Sequence, residues 1–431
     1  MRAAKNKKQK KPIIKILIIV LLVISLLAIG FYFWYQSNQQ KLEELRQSSL
    51  LEDIQKHYSE YVATNKETTI YQLTDNGYVE RGKLKEGAEL ILEQIELTYK
   101  DEYLKTNTFE EEYYIHYKDI DVIEELTENK DNRYKKYIVF NKNIITKNPT
   151  SFYDKEGNLV YTFDKSFDLP IIINKKDIYG VEYNNQLLYV KQEDVGETKD
   201  SKNTDKKNTS GITVLNYHFF FDSTSATERE KCYHVICLSN NNFRKHLDYI
   251  KNNGIFTTTM EELEMYIDRQ IQLPKSVSIT IDDGWRANIG SKILTEYKLN
   301  ATVFLISKTW DPKKIRTDYV EIHSHGHDLH NQGVCPGGQG GGIKCLEKTK
   351  LLADLKASRE ALSGTTVFCY PFYEYNDYSI KVLKEAGFTM AFGGYGEGGK
   401  YKAAPGINKF KIPRYVIYNY TTAANIKSYI G

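Results

Sequence analysis

Two stretches of the sequence bring together residue types that can hold a metal ion. Asp282 and Asp283 end an apolar, β-branched run that begins at Val277, and a glycine follows them, which is typical of a buried strand leading into a loop. Further along, four of the chain's nine histidines lie within His323–His330. One carboxylate and two imidazoles are a common ligand set for a catalytic divalent ion that keeps a position open for water and substrate. These residues therefore predict a hydrolytic centre.

The two stretches resemble motifs of the polysaccharide deacetylases of carbohydrate esterase family 4. Thr280–Gly284 is similar to the first motif of that family. Ser324–His330 is similar to the second, in the longer-spaced form of the deacetylases that act on poly-β-1,6-N-acetylglucosamine. The resemblance extends from Thr213 to the C-terminus. It implies a metal-dependent hydrolase that removes N-acetyl groups from N-acetylglucosamine units of a surface polysaccharide, either poly-N-acetylglucosamine or peptidoglycan.

The resemblance implies separate roles for the two aspartates. Asp282 is expected to be the general base and Asp283 a metal ligand. Two consecutive residues can divide these roles because successive side chains leaving a strand point in different directions. The expected ion is zinc, with cobalt, nickel or manganese as alternatives.

The histidine stretch allows two pairs of ligands. His323 and His327 have the four-residue separation of the common family motif, whereas His325 and His330 have the longer one. The residues around them favour His325 and His330 as the metal ligands.

A third stretch, Phe368–Tyr375, resembles the third motif of the family. The resemblance implies that the backbone N–H of Phe372 stabilises the oxyanion of the tetrahedral intermediate. Tyr370 and Tyr373 are candidates for binding substrate. Cys369 stands where many members carry an arginine that tethers the catalytic aspartate, a departure shared with the biofilm-polymer branch.

The histidine acid of many family members has no counterpart, since no histidine follows His330. His218, at the end of the first predicted strand of this region, is expected either to protonate the leaving amine or to orient Asp282. Arg414 lies where the family has its C-terminal motif. It is expected either to bind substrate or to tether Asp282.

The N-terminal part of the chain predicts a membrane anchor. Arg2–Lys11 is basic, and Ile16–Tyr35 is an almost continuous apolar run of the length that spans a bilayer. The basic flank favours a cytoplasmic N-terminus, a single pass and an extracellular catalytic domain. A signal peptide cleaved near Ala28-Ile29-Gly30 is the alternative. The polar segment that follows, Gln36–Lys66, has helical spacing and predicts a stalk.

Short alternating runs after the stalk predict β-strands in two copies. The spacing from Tyr114 to Asp119 recurs from Tyr189 to Asp194. The pattern resembles bacterial SH3-like modules, which implies two small all-β domains that bind the cell wall; a structural spacer is the alternative. The predicted segments are 1–15 (cytoplasmic), 16–35 (transmembrane helix), 36–66 (stalk), 67–130 and 131–195 (SH3-like domains), 196–211 (flexible linker) and 212–431 (deacetylase domain).

From Thr213 onward, strand-like and helix-like segments alternate, which predicts a parallel sheet of the α/β class. The family resemblance specifies a distorted (β/α) barrel with fewer than eight repeats. The predicted strands are 213–217, 255–258, 277–281, 301–306, 366–370 and 389–392, and the predicted helices are 242–253, 260–269, 289–297, 346–362 and 379–386. In such barrels the chemistry lies at the carboxyl ends of the strands.

Charge and cysteine content leave several questions open. The net charge of +3 makes no case for nucleic acid as a partner. Cys232 with Cys237 and Cys335 with Cys345 can form short-loop disulfides that leave Cys369 free, or all five can be thiols. An inactive wall-binding scaffold and an O-acetyl polysaccharide esterase are the alternative functions.

Overall fold

The computed structural model describes residues 10–127, 132–394 and 401–431, and it has a mixed α/β fold that begins with a long apolar helix. The chain divides into two compact units. The first comprises Met1–Glu128 with Asn148–Ser166, and the second comprises Asn129–Lys147 with Phe167–Gly431.

The first helix, α1, runs without interruption over Lys10–Lys56. Its segment Ile14–Lys56 is long and apolar enough to cross a membrane by length and composition, so it can act as a membrane anchor or a signal sequence. The helical stalk predicted to end at residue 66 ends ten residues earlier. Residues 61–64 form a strand instead, because Val62 pairs with Leu90 on one side and Val122 on the other.

Short strands follow α1. They are β1 (Tyr61–Thr64), β2 (Thr68–Thr74), β3 (Gly77–Leu84), β4 (Glu89–Ile91), β5 (Tyr103–Thr106), β6 (Tyr113–His116), β7 (Ile120–Val122), β8 (Lys142–Thr146), β9 (Thr150–Tyr153), β10 (Leu159–Phe163), β11 (Asp168–Pro170), β12 (Ile173–Asn174), β13 (Ile178–Tyr183), β14 (Gln186–Lys191) and β15 (Val195–Asp200). In the first unit, the antiparallel ladder runs β9-β10-β3-β2-β6-β5, and β4-β1-β7 forms a separate sheet.

Strand pairing in this region crosses the boundary predicted at residue 130. β10 pairs with β3, with Tyr161 opposite Leu84, so a segment from the second predicted SH3-like domain belongs to the first unit. The linker predicted over 196–211 is also shorter than expected. Its first residues lie in β15, which pairs along β8 with Lys199 opposite Asn143.

The second unit continues with alternating strands and helices, as the sequence predicts. They are β16 (Ile212–Tyr217), β17 (Phe219–Phe221), α2 (Ala226–Lys231), β18 (Cys237–Ser239), α3 (Asn240–Asn252), β19 (Phe256–Thr257), α4 (Met260–Ile267), β20 (Ser276–Ile281), α5 (Ala287–Tyr297), β21 (Ala301–Leu305), β22 (Val320–Ser324), α6 (Lys348–Ala361), β23 (Val367–Cys369), α7 (Asp377–Glu385), β24 (Met390–Phe392), β25 (Lys402–Ala403), β26 (Tyr415–Val416) and α8 (Ala423–Ile430). Each predicted element is present with its ends displaced by two residues or fewer. The elements that were not predicted are β17, α2, β18, β22, β25, β26 and α8.

The main sheet of this unit has the strand order β24-β23-β22-β21-β20-β16-β25, with β26 also paired to β16. The sheet curls, because the segments on the two sides of β26 bond to the two end strands of the parallel set. The N–H of Ile412 donates to Ala391 O in β24, and the N–H of Ile417 donates to Asn216 O in β16. The carboxyl ends of the parallel strands therefore face one shared mouth.

The core explains why these strands form. Every residue of β16 and β20 is buried, as expected of parallel strands covered on both faces. Ile279 and Ile281 pack in a cluster with Phe243 of α3 and Leu294 of α5. Truncating one such isoleucine to alanine typically costs about 2–5 kcal/mol of stability. The buried strands of this sheet support the loops that follow them.

Candidate active site

A strained turn after β20 positions the two aspartates. The N–H of Asp282 donates to Tyr217 O at 2.9 Å, which prolongs the pairing of β20 with β16. Asp283 then has a φ of 71°, in the left-handed region that costs energy for residues other than glycine. Gly284 must be a glycine, because a Cβ there would lie 2.5 Å from the Leu305 side chain. The strained backbone conformation of Asp283 therefore directs its carboxylate toward His325 and His330.

Asp283, His325 and His330 converge on one point. Asp283 Oδ1 lies 3.2 Å from His325 Nε2 and 3.2 Å from His330 Nε2. The candidate ligand atoms of all three lie within 4.8 Å of one another. His325 Nδ1 lies 2.9 Å from Cys369 O, so Nδ1 carries the proton and donates, and Nε2 keeps a lone pair. One carboxylate oxygen and two imidazole nitrogens fit a catalytic divalent ion.

A second cluster among the described residues, Asp282 with His325 and Cys369, has similar spacing. It suits an ion less well, because both oxygens of Asp282 already accept hydrogen bonds from Arg414. The remaining histidines of the motif point elsewhere. His323 Nδ1 lies 2.7 Å from Thr365 Oγ1, and His327 Nδ1 lies 3.0 Å from Ser307 Oγ. The structure thus brings together the pair that the sequence favoured.

Asp282 is buried in a bidentate ion pair with Arg414. The guanidinium donates to Oδ1 at 2.7 Å and to Oδ2 at 2.9 Å, and neither side chain is exposed. Burial raises the pKa of Asp282, but the charge and hydrogen bonds of Arg414, together with the charges of His325 and His218, hold that pKa below its ordinary value. Arg414 is fully buried, so of the two roles predicted for it the structure matches the tether and not direct contact with a substrate.

His218 lies beside this pair. Its Nε2 atom is 4.0 Å from Asp282 Oδ2 and 3.4 Å from the Tyr373 hydroxyl. Asn216 Nδ2 donates to that hydroxyl at 2.9 Å. Burial lowers the pKa of His218, although the charge of Asp282 opposes this shift. Asn216 was not predicted from the sequence. The feature that could have indicated it is a side-chain amide in the mainly apolar strand β16.

The third motif forms the wall next to His330. Phe372 and Tyr373 have φ values of 56° and 61°, both left-handed. The Phe372 ring lies 4.2 Å from the His330 ring, centroid to centroid. Tyr370 does not match its prediction. It is fully buried, and its hydroxyl donates to Phe410 O at 3.1 Å, so it packs in the core and does not face a substrate.

Comparison with known proteins finds one matching protein family. Residues 270–391 match the family model for polysaccharide deacetylase. The chain carries a polysaccharide deacetylase domain. YxkH of Bacillus subtilis (strain 168), described as a candidate polysaccharide deacetylase, is 26% identical over 186 residues, which are 42% of this chain and 63% of that protein. The match thus spans less than two thirds of that relative's length.

Solved structures of deacetylases are also similar to this chain. A de-N-acetylase from Aggregatibacter actinomycetemcomitans is 23% identical, with a TM-score of 0.42 over 51% of this chain and 99% of that one. IcaB from Ammonifex degensii is 20% identical, with a TM-score of 0.42 over 51% and 97%. The Streptococcus pyogenes deacetylase PplD, solved in complex with acetate, is 17% identical, with a TM-score of 0.42 over 53% and 100%.

The matched part of the polysaccharide deacetylase domain contains the metal-binding candidates but not the whole site. Asp283, His325 and His330 lie inside residues 270–391. His218 lies before this segment and Arg414 after it, and the curled sheet brings both to the mouth. The second unit also contains the disulfides Cys232–Cys237 and Cys335–Cys345, while Cys369 is free and buried.

Proposed function

We propose that this protein is a membrane-anchored, metal-dependent deacetylase that hydrolyses N-acetyl groups of N-acetylglucosamine units in a polysaccharide outside the cell. The observation that carries the proposal is the convergence of Asp283, His325 and His330 next to the ionised Asp282, inside a polysaccharide deacetylase domain. Zinc is the expected ion, because a carboxylate with two imidazoles is a common zinc ligand set.

The proposed ligands and the proposed base are separate groups. A divalent ion held by Asp283, His325 and His330 would lower the pKa of water and polarise the acetyl carbonyl. Asp282 accepts the proton of the attacking water as general base. Arg414 keeps that carboxylate ionised and in one orientation, since it binds both oxygens. Positioning of this kind reduces the entropy that the reaction would otherwise lose.

The leaving amine needs a proton, and His218 is placed to handle it. Its Nε2 atom lies between the Asp282 carboxylate and the Tyr373 hydroxyl. Asn216 donates to the Tyr373 oxygen, so the hydroxyl proton stays free to bond His218 Nε2. His218 would pass the proton taken up by Asp282 to the amine, with Tyr373 orienting the ring. The backbone N–H of Phe372 would stabilise the oxyanion.

Two features support a location outside the cell. The apolar helix is long enough to span a membrane. Two disulfides join Cys232 to Cys237 and Cys335 to Cys345, and disulfides persist in oxidising compartments and are rare in the cytosol. We infer an N-terminus in the cytoplasm and both folded units outside, with the non-catalytic β region contacting the cell wall.

Acetate release tests the activity directly. Full-length protein in detergent, incubated with soluble N-acetylglucosamine oligomers and zinc, should release acetate. A chelator should abolish the release, and so should Asp283→Asn, which removes one charged ligand. Acetate release that persists both with the chelator and in the Asp283→Asn variant would refute the metal-dependent mechanism. No release in any condition would favour the inactive scaffold.

The polymer is the second question. The longer spacing of His325 and His330 supports poly-β-1,6-N-acetylglucosamine, and the predicted anchor and wall-binding domains support peptidoglycan. Oligomers with β-1,6 and β-1,4 linkages, compared by kcat/KM, discriminate between them. Equal or faster cleavage of O-acetylated oligomers would instead identify an esterase, because the same centre can attack either acyl linkage.

A further inference from the structure

The first unit carries a patch of aromatic side chains on one face of its antiparallel ladder. We name it the tyrosine face. It consists of Tyr71 in β2, Tyr78 in β3, Tyr103 in β5, and Tyr114 with His116 in β6.

Strand register places these rings together. Tyr71 is opposite Tyr114, and Tyr103 is opposite His116. The Tyr78 and Tyr103 rings stack with centroids 4.2 Å apart, and Tyr78 also lies 5.2 Å from the Tyr114 ring. All the side chains of the tyrosine face retain solvent exposure, and Tyr78 is 40% exposed.

The tyrosine face is not the core side of the ladder. Side chains alternate along each strand, and the alternate positions Ile70, Leu104 and Ile115 are the buried ones. A solvent-facing side of an antiparallel sheet usually carries charged or small polar residues. Clustered tyrosines there are typical of binding surfaces, because the ring supplies apolar area at low entropic cost and the hydroxyl can still bond.

The negative charge of the region around the tyrosine face favours a cationic ligand. Residues 61–127 contain sixteen acidic and seven basic side chains, a net charge of −9, whereas the whole chain has +3. Asp101 and Glu102 directly precede Tyr103, and Glu80 pairs opposite Tyr71. An acidic surface repels nucleic acid and anionic lipid and attracts cations. Aromatic rings also attract ammonium groups to their faces.

We propose that the tyrosine face binds the partly de-N-acetylated glucosamine polymer, with sugar rings stacked on the tyrosines and glucosamine ammonium groups held by the rings and the neighbouring carboxylates. The proposal rests on the proposed function, because that reaction turns a neutral polymer into a cationic one. Since both sites belong to one chain, a polymer held on the tyrosine face stays at high local concentration near the deacetylase domain.

The test compares a double variant with a matched control in the full-length protein. Tyr78→Ala with Tyr103→Ala removes the stacked pair. Tyr61→Ala removes a partly exposed tyrosine from β1, in the other sheet of the same unit. Binding to chemically part-deacetylated β-1,6-glucosamine polymer and to fully acetylated polymer is measured at low and high salt. Acetate release from an N-acetylglucosamine trimer is measured in parallel.

We expect the double variant to lose roughly tenfold or more in affinity for the part-deacetylated polymer, since two aromatic contacts are removed. Tyr61→Ala and trimer hydrolysis should be unchanged. Wild-type binding should weaken as salt rises, because exposed charges are screened. Equal affinity of the wild type and the double variant, or equal loss in Tyr61→Ala, would overturn the proposal.

Two further measurements keep the result interpretable. Unchanged thermal unfolding shows that the double variant is folded; if it is not, the single variant Tyr78→Ala, at the most exposed ring, is expected to lose a few-fold in affinity, and no loss there would also overturn the proposal. Absence of trimer hydrolysis in the wild type would count against the proposed function alone, because binding to the prepared polymer needs no turnover.

Discussion

The second unit contains two arginine–carboxylate pairs of nearly the same geometry, and only one of them belongs to the candidate active site. Arg414 binds both oxygens of Asp282 at 2.7 and 2.9 Å. Arg133 binds both oxygens of Glu262 at 2.8 and 2.5 Å. Both carboxylates are buried, with Glu262 3% and Asp282 1% exposed. Neither bidentate geometry nor burial distinguishes a functional pair from a structural one.

The other partners of each carboxylate make the difference. Glu262 also accepts hydrogen bonds from the Thr259 N–H and the Tyr137 hydroxyl, both at 2.8 Å, and closes the capping box of α4. Its hydrogen-bonding capacity is therefore largely filled by groups that hold the fold together.

Asp282 has a different set of neighbours. Beyond Arg414, its Oδ2 atom faces Cys369 Sγ at 3.5 Å and His218 Nε2 at 4.0 Å, and the next residue is Asp283. The Cys369 thiol is only a weak donor, and His218 lies beyond hydrogen-bond distance, so these two contacts do not saturate the carboxylate. Asp282 thus keeps the capacity to accept a proton, which is what a general base requires. Five predictions test this contrast.

The largest expected effect is on turnover. Asp282→Asn should reduce the rate of acetate release by about 10²–10⁴-fold, the range for loss of a general base. Glu262→Gln, the same carboxylate-to-amide change in the other pair, should leave kcat/KM per folded molecule within about twofold of the wild type, because Glu262 bonds the cap of α4 and Tyr137 and not residues of the candidate site. Activity is measured as acetate released from the trimer, normalised to the folded fraction. A similar loss of activity in both variants would contradict the distinction between a catalytic Asp282 and a structural Glu262.

His218 should contribute next. His218→Ala should lower kcat by about 10²-fold, at the low end for a proton-transfer group, with KM little changed. Tyr373→Phe should lower kcat less, since it removes only the hydroxyl that orients the ring. Bound metal is quantified in each variant, so that lost activity is not confused with a lost ion. A wild-type rate for His218→Ala with full metal occupancy would remove it from the mechanism.

Metal addition should stabilise the deacetylase domain. Zinc at about 100 times its Kd should raise the free energy of unfolding by about 2.7 kcal/mol in the wild type, because it binds the folded state. Glu262→Gln should respond equally and Asp283→Asn should not. Calorimetry with and without chelator measures the shift. Equal stabilisation of Asp283→Asn would place the metal elsewhere.

The structural pair should matter for stability instead of rate. Glu262→Gln should lower the free energy of unfolding by about 1–3 kcal/mol, since it leaves Arg133 without its charged partner. The loss should be smaller than for a fully buried ion pair because the Arg133 side chain is 31% exposed, so solvent screens its charge. Denaturant unfolding measures the change, and a loss smaller than in an exposed control such as Lys348→Gln would contradict it.

The smallest effect concerns pH. Burial raises the pKa of Asp282, but Arg414 with the nearby His325 and His218 holds it below its ordinary value of 3.8, so the stability from the ion pair is fully present above the unfolded-state pKa. It is lost only as pH falls through the lower folded-state pKa. The stability difference between the wild type and Asp282→Asn should therefore be constant from pH 7 to about 5 and should shrink below about 4. A difference that already shrinks near pH 6 would mean that the neighbouring positive charges do not outweigh burial at the Asp282 carboxyl group.

Much of the catalytic half was predictable because its signals are local. The apolar run into Asp282 and Asp283 predicts a strand and a turn, and the alternation of strands and helices predicts a parallel sheet. The preference for His325 and His330 came from family resemblance, since spacing alone also allowed His323 with His327. Strand β22 was not predicted because Glu321 and His323 interrupt its apolar residues.

The errors arose where partners are distant in sequence. The end of the stalk, the start of the linker and the boundary between the β domains were all misplaced. In each case a short segment pairs with a strand far away, as β10 does with β3. Tyr370 was expected to face substrate, but its surroundings come from residues such as Phe410, which no local pattern links to it.

The sequence by itself determined the local features of this protein: an apolar helix, a carboxylate pair at a strand end and a histidine-rich loop. Each of these features depends only on residues that are neighbours in the sequence. Only the tertiary structure decided which groups act together. It joined Asn216, Tyr373 and His218, assigned Arg414 to Asp282, and gathered tyrosines from four strands onto one face. Contacts between side chains on different strands depend on the register and curvature of the sheet, and these follow from packing of the whole chain.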